Sequence, residues 1–283
     1  MIHDDRRCEL GEGPLWHPIR EQLFWFDILN NRMLSQDASG PLEWRFHERV
    51  SAAGWVDRDR LLIASESALS AFDLTTGKAT RIAALEADLP DNRSNDGRAD
   101  PQGGFWIGTM GKRAQPGAGS IWRWYRGELR RLFAGITISN SISFAPDGRT
   151  AHFADTAKGQ VLRVALDADG WPAGTPELFL DLAPKGLNPD GAVVDAQGVL
   201  WLAQWGAGCV AAYAPDGSLL RQVDFPAPHT SCPAFGGPDL TDLYCTSALE
   251  GMDAAARTAA PHAGKTFVAA GIAQGQAEHR VIL

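Results

Sequence analysis

A short apolar segment recurs six times along this chain at nearly regular intervals. Each copy is typical of a β-strand and follows a turn-forming group of residues rich in Pro, Asp or Gly. The copies start at Leu23, Leu61, Phe105, Ala151, Leu200 and Leu243. The intervals between them are 38, 44, 46, 49 and 43 residues. A repeat in the forties with several short strands per unit is typical of propeller blades. The sequence therefore predicts an all-β fold, a six-bladed β-propeller.

The same spacing bears on domain organisation. Further alternating strands follow several copies, as in residues 67–73, 120–125, 160–164 and 208–213. The regular repeat leaves no room for a linker, so residues 1–283 are predicted to form one propeller domain. The segment from Leu249 to Ala260 departs from the pattern and is interpreted as a loop or a short helix inside the last blade. A β-sandwich would also need turns, but it would not show this repeat.

Composition excludes several functional classes. The formal net charge is -8, from 26 Lys and Arg against 34 Asp and Glu, which argues against a nucleic-acid partner. No run of 18 apolar residues exists, so no membrane partner is predicted. The segment from Met1 to Cys8 lacks the apolar core of a signal peptide, which favours a cytoplasmic location. The four scattered cysteines are interpreted as reduced, packed thiols.

Oxygen-bearing side chains precede four of the repeated strands at the same distance. Counting back 10 or 11 residues from the strand starts leads to Glu12, Asn95, Asn140 and Asp190. In a propeller, equivalent positions of the innermost strands converge on the central axis. Buried carboxylates are costly unless they are paired or bind a metal, and oxygen ligands suit Ca²⁺, Mg²⁺ or Mn²⁺, with Zn²⁺ also possible. The sequence therefore predicts one divalent metal ion on the axis, with Arg93 and Asn95 able to bind a hydroxyl-rich ligand beside it.

Other interpretations of these residues remain open at this point. Each of Glu12, Asn140 and Asp190 could satisfy backbone groups in a turn, and Asn188-Pro-Asp-Gly191 is a strong turn sequence. Arg93 and Asn95 could likewise lie in a surface turn. Motifs of other enzyme classes are absent: the chain has no H-E-x-x-H, G-x-S-x-G, P-loop or G-x-G-x-x-G sequence.

Six short motifs, taken in order, resemble those of the senescence marker protein/gluconolactonase/regucalcin family. They are Gly11-Glu-Gly-Pro-Leu-Trp16, Asn92-Arg-Ser-Asn-Asp-Gly97, Gly108-Thr-Met110, Ile138-Ser-Asn140, Pro189-Asp-Gly191 and Phe235-Gly-Gly-Pro-Asp239. The resemblance implies a six-bladed propeller with one divalent metal ion at its axis and, in many members, hydrolysis of sugar lactones. It also implies that Glu12, Asn140 and Asp190 bind the metal and that Arg93 and Asn95 contact the sugar.

One position departs from the family pattern. Regucalcin-like members carry a substrate-contacting glutamate where this chain has Gln115, so the resemblance implies a substrate contact by the uncharged Gln115 side chain and the regucalcin substrate preference is not carried over. With Asp190 as general base, the resemblance implies a metal-dependent lactonase that opens a glucono-, galactono-, xylono- or arabinonolactone to its aldonic acid. The alternatives are a non-enzymatic calcium-binding propeller and a metal-dependent esterase.

Overall fold

The strands of this protein form six four-stranded antiparallel sheets that surround a central channel. The computed structural model describes residues 1–283. The innermost strands of neighbouring sheets contact one another in sequence order, and the first contacts the last, so the ring is closed. The prediction of an all-β, six-bladed propeller is confirmed.

Three blades follow the short first strand, β1 (Ile2–Asp4). Blade 1 consists of β2 (Gly11–His17), β3 (Gln22–Asp27), β4 (Arg32–Asp37) and β5 (Gly40–Arg45). Blade 2 consists of β6 (Val50–Trp55), β7 (Arg60–Ser65), β8 (Ala68–Asp73) and β9 (Ala79–Ala84). Blade 3 consists of β10 (Asn92–Ala99), β11 (Phe105–Gly111), β12 (Gly119–Tyr125) and β13 (Glu128–Ile136).

The second half of the chain forms the other three blades. Blade 4 consists of β14 (Ser139–Phe144), β15 (Thr150–Asp155), β16 (Gln160–Ala165) and β17 (Glu177–Asp181). Blade 5 consists of β18 (Asn188–Val194), β19 (Leu200–Trp205), β20 (Cys209–Tyr213) and β21 (Leu219–Asp224). Blade 6 contains β22 (Thr230–Gly236), β23 (Asp242–Ser247) and β24 (Thr266–Ala269).

The N-terminal strand supplies the fourth strand of blade 6. Strand β1 pairs with β24, with Ile2 opposite Phe267, so the two ends of the chain close the ring together. Pairing in this way also covers the edge that β24 would otherwise expose.

Helical segments are few and short. Single turns of 3-10 helix span Ile28–Asn30, Thr156–Lys158 and Ala183–Lys185. Helix α1 (Ala254–Ala259) lies between β23 and β24, which confirms the short helix expected in the last blade. The Asp253 side chain caps α1 by accepting a hydrogen bond from the Ala256 amide. None of the helices is both long and apolar enough to span a bilayer.

The hydrophobic core lies between neighbouring blades. The repeated apolar segments are the second strands of the blades, and three of them bury a tryptophan completely: Trp106 and Trp201 at the same position, and Trp25 at a different one. Side chains of one sheet face pack against those of the next, so each blade positions its neighbour. The channel geometry therefore depends on the whole ring.

The innermost strands share an irregularity that shapes the channel. In all six, regular pairing with the second strand shifts at the same level, beginning after Glu12, Val50, Ser94, Asn140, Pro189 and Thr230. Such bulges bend a strand and redirect its side chains. The four polar residues singled out by their spacing all lie within one residue of the start of this shift.

Candidate functional site

The bulges bring five of the six predicted site residues to one end of the channel. A cavity of about 660 Å³ opens there, and Glu12, Arg93, Asn95, Asn140 and Asp190 line it. All five are buried, with 5% or less of their surface exposed. The four residues selected by their spacing, Glu12, Asn95, Asn140 and Asp190, thus line one cavity, and their roles as metal ligands or substrate contacts stay predictions.

Serines occupy the equivalent positions of blades 2 and 6. Ser51 donates a hydrogen bond to the Ser94 hydroxyl at 2.8 Å, and Ser231 donates to the Gly11 carbonyl. Both serines are completely buried and connect adjacent blades rather than lining the cavity. Sequence reasoning did not identify them, because a lone serine beside an apolar strand carries no distinctive signal.

Glycines on both sides of Glu12 explain how this carboxylate reaches the axis. A Cβ atom on Gly11 would lie 2.4 Å from the Ser247 carbonyl oxygen, and one on Gly13 would lie 2.2 Å from the Ser51 carbonyl oxygen. Gly13 also has a φ of +54°, which favours glycine. The glycines therefore let the second strand of blade 6 and the innermost strand of blade 2 approach closely around Glu12.

Asp190 lies in a strand and not in the turn that its sequence favours. Asn188-Pro-Asp-Gly191 begins β18, and Asn188 and Pro189 pair with β19. A Cβ atom on Gly191 would lie 2.3 Å from Cys232 Sγ, so this glycine is needed for close packing against blade 6. The turn interpretation of Asp190 is wrong, because strand pairing and contact between blades override the local preference.

Neither axial carboxylate has a basic partner. The only hydrogen bond to the Glu12 side chain comes from the Gly13 amide at 3.1 Å, and the Arg93 guanidinium donates instead to Asn95 Oδ1 at 2.6 Å. Burial raises the pKa of Glu12 to about 8, and burial together with the Glu12 charge raises the pKa of Asp190 well above its usual range. Two buried carboxylates without a counterion, next to an amide, fit the oxygen ligands of a hard divalent cation.

A chain of hydrogen bonds orients the amide of Asn140. Its Nδ2 donates to Thr156 Oγ1 at 2.8 Å, and the Thr156 hydroxyl donates to the Pro189 carbonyl at 2.6 Å. Its Oδ1 accepts a hydrogen bond from Asn95 Nδ2 at 3.0 Å. Thr156 thereby links Asn140 to the strand that carries Asp190. Sequence reasoning missed Thr156, whose contacts join blades 4 and 5 and leave no periodic pattern.

Asp96 lies directly after Asn95 and is buried, but it is not part of the cavity lining. One of its oxygens accepts a hydrogen bond from the Ile142 amide at 2.7 Å, while the other has no partner. Burial raises the pKa of Asp96 to about 6. The adjacent Asn-Asp pair in the sequence was a usable signal for this third buried acid.

The structure does not bring Gln115 into the cavity. Its side-chain oxygen accepts a hydrogen bond from the Arg113 amide at 3.0 Å, so the side chain closes its own loop. Arg113 and Ala114 line the cavity in its place. Ala114 has a φ of +52°, and the Gln115 side chain packs against Gly111, where an added Cβ atom would lie 2.1 Å from Gln115 Oε1. The substrate contact of Gln115 stays a prediction, without support from the cavity lining.

The opposite wall of the cavity comes from blades 5 and 6. The rings of Trp205 and His229 stack there, with centroids 4.3 Å apart and planes 13° apart. Glu250 follows the second strand of blade 6 and is the third acid of the lining, after Glu12 and Asp190. None of these three wall residues was predicted as a site residue.

Comparison with known proteins matches this architecture to one family. Residues 10–249 match the model of the SMP-30/gluconolactonase/LRE-like region. A putative sugar lactone lactonase of Rhizobium meliloti is 43% identical over 92% of this chain and 89% of its own length. An L-arabinolactonase of Azospirillum brasilense is 36% identical over 94% of this chain and 89% of its own.

A solved structure extends the comparison to three dimensions. The crystal structure of a calcium-binding protein, regucalcin, from Agrobacterium tumefaciens superposes with a TM-score of 0.97 at 41% identity. It covers 100% of this chain and 97% of that one. The chain belongs to the SMP-30/gluconolactonase/LRE-like family.

Proposed function

We propose that the protein is a metal-dependent sugar lactonase that hydrolyses an aldonolactone to its aldonic acid. The substrate is of the glucono-, galactono-, xylono- or arabinonolactone type, and the ion is calcium, zinc, magnesium or manganese. The observation that carries the proposal is the pair of buried carboxylates, Glu12 and Asp190, which lie without a counterion at a polar cavity.

The general activity rests on the relatives. Proteins named sugar lactone lactonase and L-arabinolactonase match this chain over most of both lengths, so the chain is a hydrolase that acts on a cyclic carboxylic ester. The regucalcin of similar structure is described as a calcium-binding protein, which supports a divalent ion in this fold. The proposal adds three points to this general activity: the type of sugar, the dependence on metal and a cytoplasmic location.

The axial residues have complementary tasks in this reaction. Glu12, Asn140 and Asp190 would hold the ion. A divalent ion bound there supplies Lewis acidity, which polarises a lactone carbonyl and acidifies water. Asp190 accepts the proton of the attacking water as general base, because its carboxylate lies at the cavity and has no basic partner to neutralise it.

Arg93 and Asn95 position the sugar. Arg93 uses only its Nη1 within the protein, donating to Ser94 O at 3.0 Å and Asn95 Oδ1 at 2.6 Å. Its other N–H groups remain available to substrate hydroxyls at the cavity wall. Holding the lactone against this wall presents its carbonyl to the water, which lowers the entropic part of the barrier.

A panel of lactones tests the proposal. The protein is stripped of metal, reloaded with each of the four ions separately and assayed for acid release from gluconolactone, galactonolactone, xylonolactone and arabinonolactone. We expect turnover of at least one lactone that disappears on metal removal and returns on reloading. Full turnover by the metal-free protein would overturn the metal dependence.

Two outcomes of the panel would support the alternatives. Tight calcium binding without turnover of any lactone would indicate a calcium-binding propeller, the alternative that the regucalcin of similar structure favours. Faster hydrolysis of simple aryl esters than of any sugar lactone would indicate an esterase.

A further inference from the structure

Glu250 is a cavity-lining acid that the proposed mechanism does not use. It is half-buried, and its carboxylate makes no hydrogen bond or ion pair within the protein. The other two acids of the lining, Glu12 and Asp190, are assigned to the metal. Glu250 therefore offers two free acceptor oxygens to a ligand in the cavity.

The backbone around Glu250 is held firmly. The amides of Leu249 and Glu250 both donate to the Glu9 carbonyl, at 3.0 and 2.8 Å. The Glu9 carboxylate in turn forms an ion pair with Arg257 of helix α1. A fixed backbone that presents an unpaired carboxylate loses little entropy when a ligand is bound.

Glu250 and the predicted sugar-binding residues lie on opposite walls. Arg93 and Asn95 come from blade 3 and Glu250 from blade 6, and these blades face each other across a ring of six. Burial lowers the pKa of Arg93, and the charge of Glu250 is the strongest influence opposing that effect. The two groups therefore interact across the space that a ligand would occupy.

We propose that Glu250 is a specificity-determining residue that accepts a hydrogen bond from one hydroxyl of the lactone. This inference rests on the proposed lactonase function and deepens it. Donors on the blade 3 wall and an acceptor on the blade 6 wall would hold opposite sides of a polyhydroxylated ring. The carboxylate that regucalcin-like relatives are expected to use, absent here at Gln115, is thus supplied by a different blade.

The experiment combines a substitution at Glu250 with deletion of substrate hydroxyls. Wild type, Glu250→Gln and Glu250→Ala are assayed on the best lactone and on its analogues that each lack one hydroxyl. A hydrogen bond to a charged group is worth about tenfold or more in binding, so wild type should lose about tenfold in kcat/KM on one deoxy analogue. Glu250→Ala should lose about as much on the parent lactone and nothing further on that analogue. Glu250→Gln keeps a neutral acceptor oxygen and should lose less, and the metal content of both variants should stay unchanged.

A matched control separates this role from general effects. Glu177→Gln makes the same chemical change on the exposed outer strand of blade 4 and should retain wild-type selectivity. The proposal would be overturned if Glu250→Gln lost its metal or if its kinetics were unchanged. It would also be overturned if kcat/KM fell by the same factor on every analogue. Absence of turnover by wild type on every lactone would overturn the proposed function itself, and this inference with it.

Discussion

The two ends of the central channel both bury charged side chains, but only one end pairs them. At the cavity end, Glu12 and Asp190 have no basic partner. At the other end, Arg98 forms an ion pair with Glu278, and both side chains are less than 10% exposed. Arg98 lies three residues beyond Asn95 on β10, which places it about 10 Å further along the channel.

The C-terminal segment closes the end of the channel where Arg98 and Glu278 form an ion pair, here called the paired end. Gln276 donates to the Val194 carbonyl at 2.9 Å, the Val281 amide donates to the Trp55 carbonyl at 2.8 Å, and the Ile282 amide donates to the Gly103 carbonyl at 2.9 Å. These contacts join blades 2, 3 and 5 beneath the channel. A buried charge that is paired by the chain itself is neutralised within the fold, whereas one left unpaired beside an open cavity can be neutralised by protonation or by a bound cation.

The largest expected effect on activity is at the cavity end of the channel, where Glu12 and Asp190 lack a basic partner; this is called the unpaired end. Asp190→Ala should lose its bound metal and reduce kcat/KM by about 10³ or more, because one substitution removes both a proposed ligand and the proposed general base. Metal analysis and lactone kinetics measure the two losses, and Asp216→Ala, at a fully exposed acid, is the control. Stoichiometric metal in Asp190→Ala would contradict the ligand assignment.

Breaking the paired end should affect stability and leave metal binding intact. Glu278→Ala leaves Arg98 buried without its partner, which should lower the free energy of unfolding by about 3–5 kcal/mol. Urea unfolding measures this change. The double variant Arg98→Met, Glu278→Leu should recover much of the loss, since it removes the unpaired charge. If Glu278→Ala instead lost metal at unchanged stability, the two ends would not have separate roles.

Metal affinity should depend on pH in a direction set by the unpaired end. Burial raises the pKa of Glu12 to about 8 in the metal-free protein, so below that pH a cation must displace at least one proton. The apparent affinity should therefore fall as pH decreases from 8 to 6, by up to about tenfold per pH unit for each proton displaced. Calorimetric titrations in buffers of different ionisation enthalpy would count the protons released. An affinity that is constant over this range would contradict the prediction.

The smallest expected effect concerns the support of the unpaired end. Thr156→Val removes the hydroxyl that orients the Asn140 amide, and the loss of such a hydrogen bond costs about 1 kcal/mol. Metal affinity should weaken about fivefold, while Thr156→Ser, which keeps the hydroxyl, should remain close to wild type. Competition with a chelator measures both. If Thr156→Val and Thr156→Ser bound metal with equal affinity, the Thr156 hydroxyl would not support the metal site.

The periodicity of the sequence was sufficient to predict the architecture and most of the cavity. Equal intervals along the chain become equivalent positions in a closed ring, so the spacing alone selected Glu12, Asn95, Asn140 and Asp190 as neighbours. The spacing does not predict the positions of the Gln115 and Glu250 side chains. Both lie in loops, where side-chain direction depends on turns and anchoring contacts that have no repeat.

By itself, then, the sequence determined the number of blades and the axial level of the polar residues, because strand spacing and alternation are local properties that symmetry carries to the axis. Only the tertiary structure decided which charges are paired. Arg98 and Glu278 are separated by 180 residues, and the partner of Asn140 comes from the end of another strand. Contacts of this kind form when the N-terminal strand closes the ring and the C-terminal segment covers the channel. No local pattern encodes them, because they depend on surfaces that exist only after the blades have packed.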